Sequence, residues 1–217
     1  MKRDTVIFDF GGVITSSPFE AFNRLEAERG LPRDCIRRVN ALERDGNAWA
    51  RFERAEIDAA AFDAQFAAEA KALGHELRGN DVLAVLAGDV RPRVVAALDW
   101  LTTHGYRIGC ITNNVPTGTG AGMARTPEKA AAIGAILARF DHVIESSKVG
   151  IRKPDPAIYV MACEALGVAP RACVYLDDLG INCKPAAALG MIAIKVDSED
   201  QALADLADAL GLARGSF

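Results

Sequence analysis

The stretch "VIFDFGGVI", residues 6–14, decides how this chain is read. Three apolar residues, Val6, Ile7 and Phe8, form a short run that ends on the acid Asp9. Two glycines, Gly11 and Gly12, follow almost at once. A run of this length bounded by turn residues fits a buried strand, and glycines let backbone approach whatever the acid faces. Working outward, four more runs have the same form. Together the expected strands are Thr5–Phe10, Arg107–Thr112, His142–Ser146, Cys173–Leu176 and Ile192–Val196. Helical patterns separate the last four, the mark of β-α-β units. "RPRVVAALDWLTTHG" (91–105) places Val94, Val95, Leu98 and Leu101 at helical spacing before Gly105. "TPEKAAAIGAILARF" (126–140) and "DPAIYVMACEALG" (155–167) each open on a capping residue followed by proline. "SEDQALADLADALG" (198–211) stripes Leu203, Leu206 and Leu210. The expected fold is α/β, a doubly wound, Rossmann-like parallel five-stranded sheet.

About 80 residues separate Ile14 from Pro92, far more than one crossover helix needs. They read as helices at Phe19–Arg29, Arg33–Leu42 and 58–74, the last with Phe62, Phe66 and Ala70 on one face. The expected organisation is therefore a core of residues 1–15 and 90–217 with a small helical cap, residues 16–89, inserted after the strand that bears Asp9. From there it can fold over the strand end like a lid.

Half of the 217 residues are hydrophobic and a quarter are charged, which is ordinary globular composition. A net charge of −4 supplies no basic face for nucleic acid and no polybasic membrane anchor. No apolar run approaches the roughly 20 residues that span a bilayer, and no signal peptide precedes Asp9. The five cysteines lack C-x-x-C spacing and read as core residues in a reducing cytosol. His75, His104 and His142 are scattered, without metal-ligand spacing. In "VPTGTGAGMAR" (115–125) the glycines run G-x-G-x-G, so the segment reads as a surface loop rather than a dinucleotide site. The expectation is a cytoplasmic protein.

In an open α/β sheet ligands gather at the carboxyl ends of the strands. The first strand delivers Asp9 there, the second Thr112 and Asn113, and the fourth Asp177 and Asp178. Lys153 follows the third, with Lys148 and Arg152 as rival cations. Asp177 and Asp178 should lie near Asp9 if strands one and four are neighbours. Like charges that close repel strongly unless a cation sits among them. Oxygen donors without His or Cys select a hard ion, and Mg²⁺ is the usual choice beside phosphate.

These segments carry a resemblance. "VIFDFGGVI", "CITNN", "RKPDP" and "YLDDLGINCKPAAALGM" resemble, in order and spacing, the four motifs of the haloacid dehalogenase superfamily, and the likeness covers essentially the whole chain. "VIESSKVGIRKPDPAIY" and the fourth motif look like the N-terminal phosphatase domain of soluble epoxide hydrolases, and like capped bacterial sugar-phosphate phosphatases. The chain carries no G-x-S-x-G elbow, so epoxide opening is not expected. The resemblance implies a Mg²⁺-dependent phosphatase of small phosphorylated metabolites in which Asp9 is the nucleophile. By the same implication Asp9, the carbonyl of Gly11 and Asp178 hold Mg²⁺, supported by Asp177 and Asn182. Thr112 and the amides around Phe10, Gly12 and Asn113 then bind phosphoryl oxygens, and Lys153 neutralises their charge.

The family usually places a second Asp two residues after the nucleophile as general acid; here that residue is Gly11. Three outcomes are open: slow turnover, preference for good leaving groups such as anomeric or acyl phosphates, or a proton from water or from Glu20, Asp45 or Glu53 of the insert. Two rival functions are open as well: a catalytically weak phosphate-binding or dimerisation module, and a metal-independent dehalogenase. Trp49, Phe52 and Phe62 suit the cap core, the site wall or a homodimer contact.

Overall fold

The structure is a computed structural model that describes residues 3–118, 123–124 and 126–217. Five strands form one all-parallel sheet: β1 (Thr5–Phe8), β2 (Arg107–Thr112), β3 (His142–Glu145), β4 (Cys173–Asp177) and β5 (Ile192–Lys195). Their order is β3-β2-β1-β4-β5, so the chain reverses direction across the sheet on either side of β1. Alternation along the central strand explains the two layers. Val6 and Phe8 face a cluster with Val94, Leu98, Ile136 and Leu206, contributed by α6 (Pro92–Thr103), α7 (Pro127–Leu137) and α11 (Glu199–Leu210). Ile7 faces the other way, into Ile158, Tyr159 and Ala186 of α9 (Pro156–Leu166) and α10 (Gly180–Ala188). All five cysteines are free and buried, as their spacing predicts.

The strands lie where the apolar runs place them: β2 has the expected bounds, β4 runs one residue further to Asp177, and β1, β3 and β5 end earlier. β1 stops at Phe8 rather than Phe10 because the chain turns there, the Ile14 and Thr15 amides both donating to the Phe10 carbonyl. The β1–β4 register sets Phe8 against Leu176, so Asp9 and Asp177 leave the sheet side by side.

Five helices fill the stretch between β1 and α6: α1 (Pro18–Glu28), α2 (Cys35–Ala41), α3 (Ala48–Glu53), α4 (Ala59–Ala72) and α5 (Gly79–Ala84). Entry and exit run together, joined by a bridge between Thr15 and Val90 and by Ser16 N–H to Asp89 carbonyl at 2.8 Å. The helices bury their own cluster, with Phe22, Phe52, Phe62, Phe66 and Val82 at its centre. Phe52 stacks on Phe62 at 4.7 Å and Trp49 meets Phe62 edge-on at 5.7 Å, so Phe52 and Phe62 belong to that internal core while Trp49 packs on it and also lines a cavity beneath these helices. The sequence shows no periodic signal for α3 or α5, each six residues long.

In the 115–125 loop, residues 119–122 and 125, Gly120 and Gly122 among them, lie outside the described residues. Of its described residues, Pro116 and Gly118 are exposed, in keeping with a surface loop, while Val115 is buried and Met123 packs against the helical cluster. No helix among the described residues is long and apolar enough to cross a membrane.

Candidate active site

The carboxyl ends of β1 and β4 place Asp9, Asp177 and Asp178 so that one oxygen of each lies within 4.8 Å of the others. Lys153 reaches into this cluster from the loop after α8 (Ser146–Val149). Its ammonium is fully buried, 2.7 Å from Asp9 Oδ1 and 2.8 Å from Asp177 Oδ2, and it donates to the Ile111 carbonyl at 3.0 Å. The rival cations do not enter the acid cluster: Lys148 pairs with Glu145, and Arg152, which also lines the adjoining cavity, pairs with Glu53.

The acids are not equivalent. Asp177 is enclosed, its Oδ2 accepting from Lys153 and from the Tyr175 hydroxyl at 2.5 Å, its Oδ1 from the Leu179 amide at 2.8 Å. Asn182 Nδ2 bonds both Asp177 oxygens at 3.1 Å while its own carbonyl accepts from Tyr159. Asp177 thus contacts Lys153 directly and is itself held in place by Asn182. Asp9 and Asp178, by contrast, line a cavity of about 410 Å³ beneath the inserted helices, together with Gly11, Thr112, Asn113 and Lys153. Asp9 Oδ1 accepts from the Phe10 amide at 2.6 Å as well as facing Lys153, leaving Oδ2 without a protein donor among the described residues.

Three carboxylates against one ammonium leave surplus negative charge. Burial pushes Asp9 well above the usual carboxylate range; Lys153 opposes this, and Asp177 and Asp178 add to it. Asp178 is pushed up to about 6 by burial and then by Asp177. Burial works against the Lys153 ammonium, but Asp177 and Asp9 outweigh it and hold the proton firmly. The donor set and its unbalanced charge fit a hard divalent cation held from the cavity side.

The two glycines differ in kind. Gly12 has φ +80°, and a Cβ there would stand 2.2 Å from Asp178 Oδ2. Gly11 has no positive φ, and its nearest obstacle to a Cβ is Pro18 Cδ at 3.9 Å. Only Gly12 is demanded by sterics. Gly12→Ala is thus expected to displace Asp178 and to cost about 1–2 kcal/mol through the left-handed backbone. The checks are a lowered Tm and a weakened Mg²⁺ titration in calorimetry.

One contributor was not visible in the sequence, and one expected residue uses its side chain differently. Ser17 caps α1 and its hydroxyl donates to Asp178 Oδ2 at 2.9 Å, tying the entrance of the insert to the acid pair. Asn113, expected to serve phosphate through its amide, uses its side chain on Lys153: Oδ1 accepts from Lys153 N at 2.8 Å and Nδ2 donates to Lys153 O at 3.0 Å. Of the three acids proposed as replacement proton donors, Glu20 and Asp45 are exposed, and Glu53 lines the cavity. The roof also comes from α2, whose Arg37, Asn40 and Ala41 face the cavity at helical spacing, with Arg44 just beyond, while Ile36 and Val39 enter the helical core.

A family model described as haloacid dehalogenase-like hydrolase matches residues 3–190. The chain belongs to that family. A phosphatase of Mycobacterium tuberculosis (MT3486) is 30% identical over 93% of this chain and 90% of its own length. Bifunctional epoxide hydrolase 2 of Mus musculus is 29% identical over 97% of this chain. Against that protein and three other mammalian relatives the chain spans at most 39% of their length. Among solved structures, a haloacid dehalogenase family enzyme of Bacteroides thetaiotaomicron, in complex with magnesium and inorganic phosphate, superposes with TM-score 0.60 at 18% identity, covering 90% of this chain and 95% of that one. At that identity the likeness establishes the shared fold, which agrees with the five-stranded parallel sheet.

Proposed function

We propose that this hydrolase is a Mg²⁺-dependent phosphatase of small phosphorylated metabolites. The observation that carries the reading is the buried Asp9–Lys153–Asp177 triplet with Asp178 beside it, at a cavity of about 410 Å³. A relative similar over nearly its whole length is named a phosphatase. Asp9, the Gly11 carbonyl and Asp178 would hold Mg²⁺, with Asp177 and Asn182 in support. The ion, when bound, offsets repulsion between the attacking carboxylate and the phosphate.

The remaining work belongs to the chain's own residues. An Asp9 carboxylate oxygen bonds to phosphorus as the bond to the leaving oxygen breaks, giving an aspartyl-phosphate. Lys153 meets the negative charge on the transferring group, and Thr112 with the nearby amides orients its oxygens. Water then cleaves the acyl phosphate and frees Asp9.

The leaving oxygen needs a proton, and Gly11 has none to give. Burial raises the Glu53 carboxyl above its ordinary range against the pull of Arg152. Glu53 is nonetheless a poor substitute by geometry: both of its oxygens already accept hydrogen bonds, Oε1 from Trp49 and Oε2 from Arg152 and Asn113, and neither is turned to a leaving group. Water is left as donor, which favours substrates whose leaving groups depart without help, such as acyl, anomeric or aryl phosphates. A dehalogenase would share the absence of an acid after Asp9, yet would leave the cavity-facing Asp178 and its repulsion without purpose.

The test is phosphate release from p-nitrophenyl phosphate and acetyl phosphate with Mg²⁺. Excess chelator is expected to bring release to background, and Mg²⁺ to restore it. Turnover that survives chelation, or chloride release from 2-chloroalkanoates under it, overturns the reading.

A further inference from the structure

Glu53 closes α3 on the inserted unit, yet its side chain is buried against the core. Its Oε2 accepts from Arg152 Nε at 2.5 Å and from Asn113 Nδ2 at 3.3 Å, and its Oε1 from Trp49 Nε1 at 2.8 Å. Its backbone carbonyl accepts from the Ser146 hydroxyl at 2.7 Å. Arg152 reaches back to the unit a second time, donating to the Arg44 carbonyl at 3.2 Å. One residue of the insert thus touches three core segments: the turn after β2, the start of α8, and the Arg152–Lys153 pair. Asn113 brackets the Lys153 main chain, so the Glu53 carboxylate lies one hydrogen bond from the group that fixes the lysine's backbone.

A buried ion pair is a weak means of adding stability, since desolvation opposes its attraction. Its value here is directional: Arg152 and Lys153 are consecutive, one turned up to the insert and one down to the acids. We propose that Glu53 is a positioning residue that couples closure of the helical unit over the cavity to the placement of Lys153. With the unit closed, Glu53 engages Arg152 and Asn113 and fixes the backbone of residues 152–153. With it open, both partners lose their acceptor and the lysine segment loosens. The inference rests on the phosphatase reading for its kinetic consequence and on the contacts alone for the coupling.

The chain has two tryptophans, Trp49 and Trp100. Trp100 stacks on His104 at the far end of α6, so Trp100→Phe leaves Trp49 as sole reporter on the Glu53 contact. In that background, Glu53→Gln keeps the side-chain shape and an acceptor for Trp49 while removing the charge. Expected are a fall in kcat of about tenfold on p-nitrophenyl phosphate and loss of the Trp49 emission change on adding Mg²⁺ with beryllium fluoride. Arg152→Gln should match it, and the double variant should be no worse than the weaker single. A residue serving only the fold would lower Tm yet leave kcat per folded molecule and the emission change intact, and that result overturns the proposal, as do additive losses. The optical arm is independent of turnover. An emission change abolished by Glu53→Gln in a protein that releases no phosphate sustains the coupling and defeats the phosphatase reading. Equal emission changes with normal turnover do the reverse.

Discussion

Asp9→Asn is expected to lower Mg²⁺-dependent phosphate release by about 10⁴-fold or more, the scale seen when a covalent nucleophile is removed. The amide matches the carboxylate in shape and can still accept from Lys153 and the Phe10 amide, so binding contacts survive where bond formation to phosphorus does not. The fold should not suffer. Burial, then the neighbouring Asp177 and Asp178, push the Asp9 carboxyl upward against the pull of Lys153. A carboxyl whose folded pKa is raised favours the folded state when protonated and opposes it when ionised at neutral pH. An amide, neutral throughout, removes that opposition, and Lys153 keeps Asp177 as partner. Tm in the absence of metal should therefore hold or rise while Mg²⁺ affinity falls, because one of the cavity-facing oxygens is gone. Thermal melts, calorimetric Mg²⁺ titration and a phosphate assay check the three parts. Turnover within tenfold of the parent would mean that Asp9 is not the attacking group.

The sequence exposes the acids and hides their supports, for a physical reason. Asp9, Asp177 and Lys153 stand directly after apolar runs or beside turn signals, so local pattern alone assigns them to one sheet edge. The β1–β4 pairing that brings the first two together is only a condition in the sequence, since doubly wound sheets take more than one strand order, and the structure supplies it. Glu53 gives no such signal. Its helix is a six-residue segment, too short for periodicity, and its partner Arg152 lies 99 residues away along the chain. Read locally, Arg152 competes with Lys153 for the site; in three dimensions it faces the insert. Trp49 and Glu53, one helical turn apart, were the available hint. Asn113 shows the same limit: "CITNN" fixes its place at the end of β2, but whether the side chain serves phosphate or the lysine loop depends on a contact 40 residues away.

Gly11→Asp is the complementary prediction, a gain rather than a loss. The substitution places an acid two residues after the nucleophile, in a backbone conformation open to any residue and with no atom closer to the new Cβ than Pro18 Cδ at 3.9 Å. Gly11 lines the cavity, so the carboxyl can reach a leaving oxygen that otherwise draws its proton from water. General acid catalysis contributes about 10²–10⁴-fold where the leaving group is poor, and little where it is good. The expected result is therefore selective: kcat on alkyl phosphates such as glycerol phosphate should rise about 10²-fold or more, while kcat on p-nitrophenyl or acetyl phosphate stays within a few-fold. The sharper form is the dependence of rate on leaving-group pKa, steep in the parent and shallow in Gly11→Asp. A slope already shallow in the parent and unchanged by the substitution, in a variant with the parent's Tm and Mg²⁺ affinity, would mean that the parent already protonates its leaving group from a cap residue. Arg152, Trp49 and Asn113 make Glu53 ill-suited to that task, so the measurement also checks the assignment of Glu53 as a group that holds other residues in place rather than one that gives up a proton.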